Sequence, residues 1–382
     1  MIQELVKTAF SDRFGQTFRS FSAPGRLNII GEHTDYNNGF VLPAAIDKRI
    51  YLAINASGDS MVTLYSMDFD ETVTFSVNEE RNDLPQWARY PFGVVKEFQK
   101  EKLFANGFNA VFAGDIPAGA GLSSSAALES VFAVALNTIF DLGADKLKLA
   151  HICQMAEHHY AGVKCGIMDQ FASIFGKKDH AIRLDCLTLE FEYFPINTGD
   201  HSLFLADTRV KHSLASSEYN IRRQECEKGI QLISNHLPHI RSLRDLSPEE
   251  IKPFEKELGS PVFERCEYVT EENKRVLKSC EAMENGDFRK LGDMMFGSHE
   301  GLSIKYNVSC PELDLLVKTA KSLPGILGAR MMGGGFGGCT INLVENSAME
   351  EVKSALDHSY LKQFGKSPVF YNVRIDDGAG EI

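Results

Sequence analysis

The chain has 382 residues, of which 43% are hydrophobic and 24% are charged, and its formal net charge at pH 7 is −12. A negative charge without a long lysine and arginine cluster argues against nucleic acid or an anionic membrane surface as the main partner. No window approaches the run of about eighteen uncharged apolar residues that a membrane-spanning helix needs. The first twenty residues mix charged and apolar side chains, which is not typical of a signal peptide.

The eight cysteines are scattered and form no C-x-x-C pair. In a chain of this size they indicate free or buried thiols rather than a disulfide framework or a zinc site. A cytoplasmic protein is the simplest interpretation, and we expect it to be a monomer. Because 382 residues exceed the usual size of one hydrophobic core, two domains are expected.

The first half of the chain is rich in strand signals. β-branched or alternating runs between turn residues predict four strands: IYLAINA (50–56), MVTLYSM (61–67), ETVTFSV (71–77) and GFNAVFAGD (107–115). Two further runs predict helices, over residues 123–140 and 147–162. The first of these is apolar on nearly every face, so it should lie inside a domain, and its serines are candidates for capping its N-terminus.

The second half predicts strands and charged amphipathic helices. The segments are TLEFEYF (188–194), SLFLADT (202–208), a helix over 216–235, the run RMMGGGFGGCTINLVE and a last helix. Together the elements predict an α+β fold with two lobes. We expect an N-terminal domain of residues 1–190 and a C-terminal domain of residues 191–382, both of α/β type.

The segment PAGAGLSSSAALE (117–129) combines glycines and serines in front of the apolar helix. A helix N-terminus leaves backbone N–H groups unpaired, and glycines let the backbone close around an anion, so the segment could cradle a phosphate. An ordinary connection with an N-cap serine remains an equal alternative for this segment alone. A Walker A loop is excluded around GKS (365–367), because Tyr360 stands where its first glycine should be.

The run GGGFGG (333–338) matches the dinucleotide-binding spacing, but a strand-like segment follows it where a helix should. We therefore expect these glycines to serve close backbone packing, with a ligand as a further possibility.

Five segments in order resemble the GHMP small-molecule kinases. They are PGRLNIIGEHTDYNNGFVLPAAID (24–47), PAGAGLSSSAALE, CGIMDQF (165–171), VKHSLASSEYNIRR (210–223) and GGGFGGC (333–339). The first resembles the corresponding segment of the members that phosphorylate galactose. The likeness runs from Ala23 to Cys339, and five long segments in register are far more specific than any one of them.

The resemblance implies a two-lobed kinase with its active site in the cleft between the lobes. ATP would phosphorylate the C1 hydroxyl of α-D-galactose to give galactose 1-phosphate and ADP, the first committed step of galactose use by the Leloir pathway. Asp169 is the implied catalytic base and Arg26 its cationic partner. The pattern leaves open whether Asp169 removes the hydroxyl proton or only positions it.

The resemblance also assigns binding residues. Galactose would contact Glu32, His33, Asp35, Gly166 and Tyr219. ATP and its phosphates would contact Gly119, Gly121, Ser123, Ser124, Ser125 and Trp87. Mg²⁺ would be held by Ser124 and Glu157. One carboxylate and one hydroxyl suit Mg²⁺, which keeps water and phosphate oxygens as its other ligands.

Some assignments have simpler alternatives. His33 could be a structural hydrogen-bonding residue, and Trp87 a core or lobe-interface residue. The histidines His158 and His159 beside Glu157 do not have the spacing of a zinc motif.

Two other functions are compatible with the family. One is a related sugar kinase, acting on N-acetylgalactosamine or another hexose. The other is a galactose sensor without catalysis, which the intact Arg26, Asp169 and serine loop argue against. The sequence departs from the family pattern at Met332, at ADTR (206–209) and around Trp87, which bears on the nucleotide pocket and on fine sugar specificity.

Overall fold

The structure, a computed structural model, describes residues 1–103, 106–117, 119–196, 199–210 and 215–382. Ala118 of the glycine-serine segment and residues 211–214 of the predicted 210–223 segment lie outside this part of the chain.

The described residues form strands that we number in chain order. They are β1 (Arg19–Asn28), β2 (Phe40–Val41), β3 (Pro43–Ala56), β4 (Met61–Ser66), β5 (Glu71–Ser76), β6 (Phe108–Gly114), β7 (His180–Asp185), β8 (Phe191–Pro195), β9 (His201–Asp207), β10 (Ile326–Met331), β11 (Cys339–Glu345), β12 (Val369–Asn372) and β13 (Gly380–Glu381).

The α-helices are numbered in the same way. They are α1 (Ile2–Phe14), α2 (Gln86–Lys100), α3 (Ser124–Ile139), α4 (Lys146–Ala156), α5 (Met168–Phe175), α6 (Ala215–Ser234), α7 (Pro248–Ile251), α8 (Glu255–Leu258), α9 (Val262–Glu284), α10 (Phe288–Glu300), α11 (Pro311–Lys321) and α12 (Met349–Phe364). None of these helices is long and apolar enough to span a membrane.

The N-terminal half is built on a six-stranded sheet with the order β13-β1-β3-β6-β4-β5. Its pairs are antiparallel except β4 with β6. Helix α1 covers one face, and α3 covers the other. Strand β4 alternates buried and more exposed residues as its sequence predicts, whereas the last eight residues of β1 are all buried. Strand β1 therefore lies at the centre of the fold, and it carries Arg26.

Helix α3 is the central helix of this half. Ten of its 16 residues are buried, which agrees with its apolar sequence. It packs on β1 and β3 and contacts α2, α4 and α5. The N-terminus of α3 is therefore fixed on several sides, close to the first turn of α5.

The C-terminal half contains a second sheet with the order β10-β11-β9-β12, and α10, α11 and α12 pack around it. A third sheet, β2-β7-β8, contacts α9. The C-terminal strand β13 returns to pair with β1, and Arg49 on β3 donates hydrogen bonds to Asp376 and to the backbone of Gly378. The division into residues 1–190 and 191–382 stays a prediction, and the end of the chain crosses it.

Candidate active site

The glycine-serine segment forms a tight loop before α3. Gly119, Gly121 and Ser123 have φ values of 79°, 74° and 57°, so three closely spaced residues adopt the left-handed conformation. Glycine adopts this conformation without strain, but serine does not. Ser123 occupies the N-cap position, yet its side chain does not cap the helix. The prediction that serine side chains cap α3 is therefore wrong at Ser123, because its hydroxyl donates a hydrogen bond to Asp169 instead.

The GGGFGG loop between β10 and β11 packs against this segment. A Cβ atom on Gly333 would lie 3.5 Å from backbone atoms of Gly121, and a Cβ on Gly338 would lie 3.5 Å from the carbonyl of Ala120. The expectation of close backbone packing is confirmed. The C-terminal half thus supports the glycine-serine loop directly.

Arg26 and Asp169 form a bidentate pair. Nε of Arg26 donates to Oδ1 of Asp169 at 2.8 Å, and Nη2 donates to Oδ2 at 2.9 Å. Nη1 of Arg26 donates to the carbonyl oxygen of Gly121 at 2.6 Å, which ties the pair to the glycine-serine loop. Burial opposes the charge of Arg26, but attraction to Asp169 and Glu32 raises the pKa of its guanidinium above the usual value. A fixed cation and a carboxylate therefore lie together at the N-terminus of α3.

A second group of acids lies behind this pair. Glu157 is buried at the point where α4 gives way to a π-helical turn, Glu157–Ala161, a distortion that is frequent at functional sites. Its Oε1 accepts from Ser125 at 3.2 Å, and its Oε2 accepts from Gln170 at 2.7 Å. Burial and repulsion from Asp169 raise the pKa of Glu157 to about 7. Burial, with Asp169 nearby, therefore makes a negative charge on Glu157 costly unless a cation offsets it.

Glu129 on α3 is the second buried acid of this group. Its Oε2 accepts from Gln170 Nε2 at 3.1 Å, so one amide links Glu129 and Glu157. Burial, with repulsion from Glu157, raises the pKa of Glu129 well above its usual value. The buried site therefore disfavours a charge on Glu129, and the amide of Gln170 holds the carboxylate of Glu157 in place.

Glu32 lies on the other side of Arg26. Its Oε1 accepts from Nη2 of the fully buried Arg330 at 2.6 Å and from the backbone N–H of Gly333 at 2.8 Å. Arg330 also donates to the carbonyl oxygens of Asn28 and Ile29. Arg330 of β10 thus binds the end of β1 and the segment after it, and it holds the carboxylate of Glu32 in place.

The carboxylate of Asp35 packs directly against Gly166. A Cβ atom on Gly166 would collide with the carboxylate of Asp35, so only glycine fits this position. Burial, followed by repulsion from Asp169, raises the pKa of Asp35 to about 7. The structure therefore brings Asp35 close to the Arg26–Asp169 pair, as the predicted sugar site requires.

His33 and Tyr219 belong to an aromatic cluster with Tyr36 and Tyr306. The His33 ring lies 4.8 Å from the Tyr306 ring and 5.3 Å from the Tyr219 ring, between centroids. Nδ1 of His33 lies 2.8 Å from the Tyr36 hydroxyl. Burial and the nearby Arg222 lower the pKa of His33 to about 3, so its imidazole is neutral.

Trp87 lines a cavity of about 540 Å³ that reaches Ser124 and Ser125. Its ring is nearly parallel to Phe69, with centroids 6.3 Å apart, and its indole N–H donates to Glu71 at 2.7 Å. The cavity has apolar walls from Ile50, Phe112 and Leu128. A planar heterocycle bound beside the glycine-serine loop would contact aromatic and apolar side chains in this cavity.

Family models match three parts of the chain. Residues 89–177 match the N-terminal domain of GHMP kinases, and residues 279–363 match the C-terminal domain. Residues 8–56 match the galactose-binding signature of galactokinase. A galactokinase of Thermotoga maritima is 43% identical over 94% of this chain and 99% of its own length. The chain belongs to the galactokinase family.

Further comparisons agree with this membership. A galactokinase of Clostridium acetobutylicum is 38% identical over the whole chain and 98% of its own length. The crystal structure of Lactococcus lactis galactokinase complexed with galactose superposes with a TM-score of 0.96, at 34% identity, over the full length of both chains. The Methanococcus jannaschii mevalonate kinase shares the fold at 19% identity, with a TM-score of 0.66 over 94% of this chain and 99% of its own. The α+β two-lobed GHMP kinase fold is confirmed.

The resemblance to GHMP kinases implies a Mg²⁺ ion, and the buried acid Glu157 and the serines near it show whether the residues present fit that ion. No group of three or more histidine, cysteine, aspartate or glutamate side chains that could hold a metal occurs among the described residues. A Mg²⁺ ion that takes most ligands from phosphate and water needs only one carboxylate and a hydroxyl. Glu157 would supply the carboxylate, and it is buried near Asp169, where a bound cation would offset the negative charge. The residues fit the ion, although the hydroxyl that reaches Glu157 is that of Ser125, the neighbour of the predicted ligand Ser124.

Sequence reasoning missed several residues that hold this galactokinase-family site together. They are Glu129, Gln170, Arg330, Tyr36 and Tyr306. Four of them had a signal in the sequence, since Tyr36, Glu129 and Gln170 lie inside the quoted segments and Arg330 is a lone cation in an apolar strand. Tyr306 had none, because it is far from every quoted segment along the chain.

Proposed function

We propose that the chain transfers the γ-phosphoryl group of ATP to the C1 hydroxyl of α-D-galactose, which gives α-D-galactose 1-phosphate and ADP. The observation that supports this best is the Arg26–Asp169 pair, which is hydrogen-bonded to Gly121 and Ser123 of the glycine-serine loop. The proposed base Asp169, the cation Arg26 and the proposed phosphate-binding N-terminus of α3 thus contact one another. Phosphoryl transfer depends mainly on such positioning and charge stabilisation.

In the proposed mechanism Asp169 accepts a hydrogen bond from the sugar hydroxyl and takes its proton as the new O–P bond forms. The bond between the γ-phosphorus and the ADP oxygen breaks, and the electron pair leaves with ADP. Arg26 keeps the base in one orientation through two hydrogen bonds and offsets charge on the phosphoryl oxygens. Its position on the buried strand β1 fixes both groups in place.

The phosphates of ATP would lie on the backbone of the glycine-serine loop and the N-terminus of α3. Gly119 and Gly121 provide left-handed backbone there, and Ser123, Ser124 and Ser125 provide hydroxyls. The adenine would lie in the cavity beside Trp87. Ser124 or Ser125 and Glu157 would hold Mg²⁺, which when bound offsets the negative charge of the β- and γ-phosphates.

The sugar would lie between Asp169 and the segment GEHTDY (31–36), held by Glu32, His33, Asp35, Gly166 and Tyr219. Glu32 is held before any ligand arrives by Arg330 and Gly333, and Asp35 lies in close contact with Gly166. A site of fixed hydrogen-bonding groups rejects an epimer whose hydroxyl leaves buried polar groups unpaired. This arrangement favours galactose over glucose, which differs only at C4.

The decisive experiment measures kcat/KM for galactose, glucose and N-acetylgalactosamine by ADP release from one preparation. We expect galactose to exceed glucose by on the order of 10³. Comparable values for galactose and glucose would contradict the proposal. A clear preference for N-acetylgalactosamine would keep the mechanism and change the substrate.

We further propose that the protein is cytoplasmic. All eight cysteines are free thiols, which suits a reducing compartment. The monomeric state stays a prediction, and gel filtration with light scattering would measure it.

A further inference from the structure

A chain of hydrogen-bonding side chains leads from the interior of the C-terminal half to His33. The hydroxyl of Tyr36 lies 2.8 Å from Nδ1 of His33 and 2.8 Å from the hydroxyl of Tyr306. The Tyr306 hydroxyl in turn lies 3.3 Å from Sγ of Cys226. Cys226 and Tyr306 are fully buried and His33 nearly so, which shields most of this chain from solvent. We refer to these four side chains as the tyrosine relay.

The far end of the relay is the other ring nitrogen of His33. Nε2 is buried and forms no hydrogen bond of normal geometry with the residues that the structure describes, while the nearby backbone of Gly334 acts to raise the pKa of the ring and so favours N–H there. A buried polar atom without a partner is costly, and such atoms in native proteins commonly await a ligand or water. Because His33 is in the predicted sugar site, a sugar hydroxyl is the natural partner.

Each proton of the relay can point in one of two directions. In the first, the thiol of Cys226 donates to Tyr306, Tyr306 donates to Tyr36, and Tyr36 donates to Nδ1 of His33. In the second, every bond is reversed and the relay ends with a phenol donating to the sulfur. The thiol of Cys226 is both a weak donor and a weak acceptor, so its bond to Tyr306 differs little between the two directions. The bond between Tyr36 and His33 decides, because a neutral imidazole nitrogen is a stronger acceptor than a phenol oxygen and a phenol is a stronger donor than an imidazole N–H. The first direction therefore gives the better set of hydrogen bonds.

The first direction leaves the imidazole proton on Nε2. The neighbouring acids favour the same tautomer. Glu32, Asp35 and Asp169 surround the sugar site with carboxyl oxygens, and a sugar hydroxyl has only one proton to give them. A hydroxyl that accepts from His33 can still donate to a carboxylate, whereas an Nε2 acceptor would compete with the acids for that proton.

We propose that Tyr36 and Tyr306 are positioning residues that fix His33 as an Nε2–H donor toward a hydroxyl of the bound sugar. This inference rests on the proposed galactose site and adds to it the direction of one hydrogen bond. His33 is held in a left-handed backbone conformation, with φ of 63°, and its ring is packed between tyrosines, so it cannot turn easily to exchange its nitrogens.

Nitrogen NMR of the histidine side chains tests the tautomer directly in the wild-type protein. The His33 signals are identified by comparison with His33→Gln, and the two neutral tautomers differ clearly in their nitrogen shifts. We expect Nε2–H in the presence and in the absence of galactose. An Nδ1–H tautomer, or a ring that gains a proton above pH 6, would overturn the inference.

Kinetics of Tyr36→Phe test the consequence. Removing the donor to Nδ1 frees the ring to change tautomer, so KM for galactose should rise by about two- to tenfold, as for one lost hydrogen bond. The KM for ATP and kcat should change much less, and Tyr306→Phe should act in the same direction more weakly. Tyr193→Phe is the matched control, because its hydroxyl donates to the backbone of Phe175 outside the relay.

The outcomes separate this inference from the proposed function. An unchanged galactose KM and an unchanged tautomer in folded Tyr36→Phe would refute the relay while galactose turnover stands. Failure of the wild type to phosphorylate galactose would refute the proposed function, and the NMR measurement would still decide the tautomer. If Tyr36→Phe does not fold, Tyr306→Phe and the wild-type spectrum decide.

Discussion

Arg26 donates two parallel hydrogen bonds to Asp169, from Nε to Oδ1 at 2.8 Å and from Nη2 to Oδ2 at 2.9 Å. The same carboxylate accepts a third hydrogen bond from Ser123, a residue held in a left-handed conformation at the start of α3. A serine in this conformation carries strain of about 1–3 kcal/mol, which must be offset by the surrounding structure. In this backbone conformation the Ser123 hydroxyl donates to Asp169 and does not cap the helix. The shape of the loop therefore serves the contact with Asp169.

The first prediction concerns Asp169→Asn. The variant should fold and bind galactose, because the change is nearly isosteric, but it should lose phosphoryl transfer since an amide cannot take the proton. We expect kcat to fall by on the order of 10²–10⁴, measured by ADP release at saturating substrates. Retention of more than about a tenth of the wild-type kcat, a change of only ~1.4 kcal/mol, would remove Asp169 from the role of base.

Arg26→Lys tests the partner of the base. Lysine keeps the charge, but it cannot make two parallel bonds to Asp169 and a third to the Gly121 carbonyl. We expect kcat to fall by about ten- to a hundredfold with a smaller change in galactose KM. A raised KM with an intact kcat would make Arg26 a binding residue only.

Much of this site could be predicted from the sequence, because its residues lie in segments of distinctive composition. Arg26, Asp169, Glu157 and the glycine-serine loop do meet in the structure. The strands predicted at 50–56, 61–67, 71–77 and 107–115 lie within β3 or overlap β4, β5 and β6.

The supporting contacts could not be predicted, because they join distant parts of the chain. The Arg330–Glu32 pair joins residues 298 positions apart, and β13 pairs with β1 from the opposite end of the sequence. Local periodicity carries no information on such pairings. The helix predicted over 147–162 also changes to a π-helical turn at Glu157, which the apolar periodicity of the segment does not predict.

Glu157→Gln tests the metal site. The amide is a poorer ligand for Mg²⁺, so the variant should need more free Mg²⁺ for its half-maximal rate, and added Mg²⁺ should restore part of the activity. The rate is measured against free Mg²⁺ at saturating galactose and ATP. Glu227→Gln is the control, since Glu227 pairs with Arg223 at the surface. An unchanged Mg²⁺ titration of Glu157→Gln would show that Glu157 is not a ligand.

Asp35→Asn should change the pH dependence of the unfolding free energy and, separately, lower kcat/KM for galactose. Burial, and then repulsion from Asp169, raises the pKa of Asp35 from 3.8 to about 7 in the folded protein. Ionising Asp35 therefore costs folding free energy, and this cost grows between about pH 4 and pH 7 by at most ~1.4 kcal/mol per pH unit, less where solvent screens the half-buried group. The cost is absent below pH 4 and constant above pH 7.

The variant should accordingly gain unfolding free energy relative to the wild type as the pH rises from 5 to 8, while kcat/KM for galactose falls. Urea unfolding at the two pH values, with galactose kinetics on the same samples, measures both effects. A difference in unfolding free energy that does not change with pH would show that Asp35 ionises freely in the folded protein.

Gly166→Ala tests the contact between Gly166 and Asp35. The added methyl group would collide with the Asp35 carboxylate, so one of the two must move. Overpacking of this kind costs about 1–3 kcal/mol, which corresponds to about five- to 150-fold in kcat/KM for galactose if the loss falls on the sugar site. The KM for ATP should stay close to that of the wild type, because the cavity beside Trp87 is lined by other residues.

Gly297→Ala is the matched control: its Cβ would lie 3.7 Å from Arg275 Cδ, an ordinary contact, and alanine favours the helix there. Equal galactose kinetics for Gly166→Ala and Gly297→Ala would mean that Asp35 can withdraw from Gly166 without harm, and that its position does not determine sugar binding.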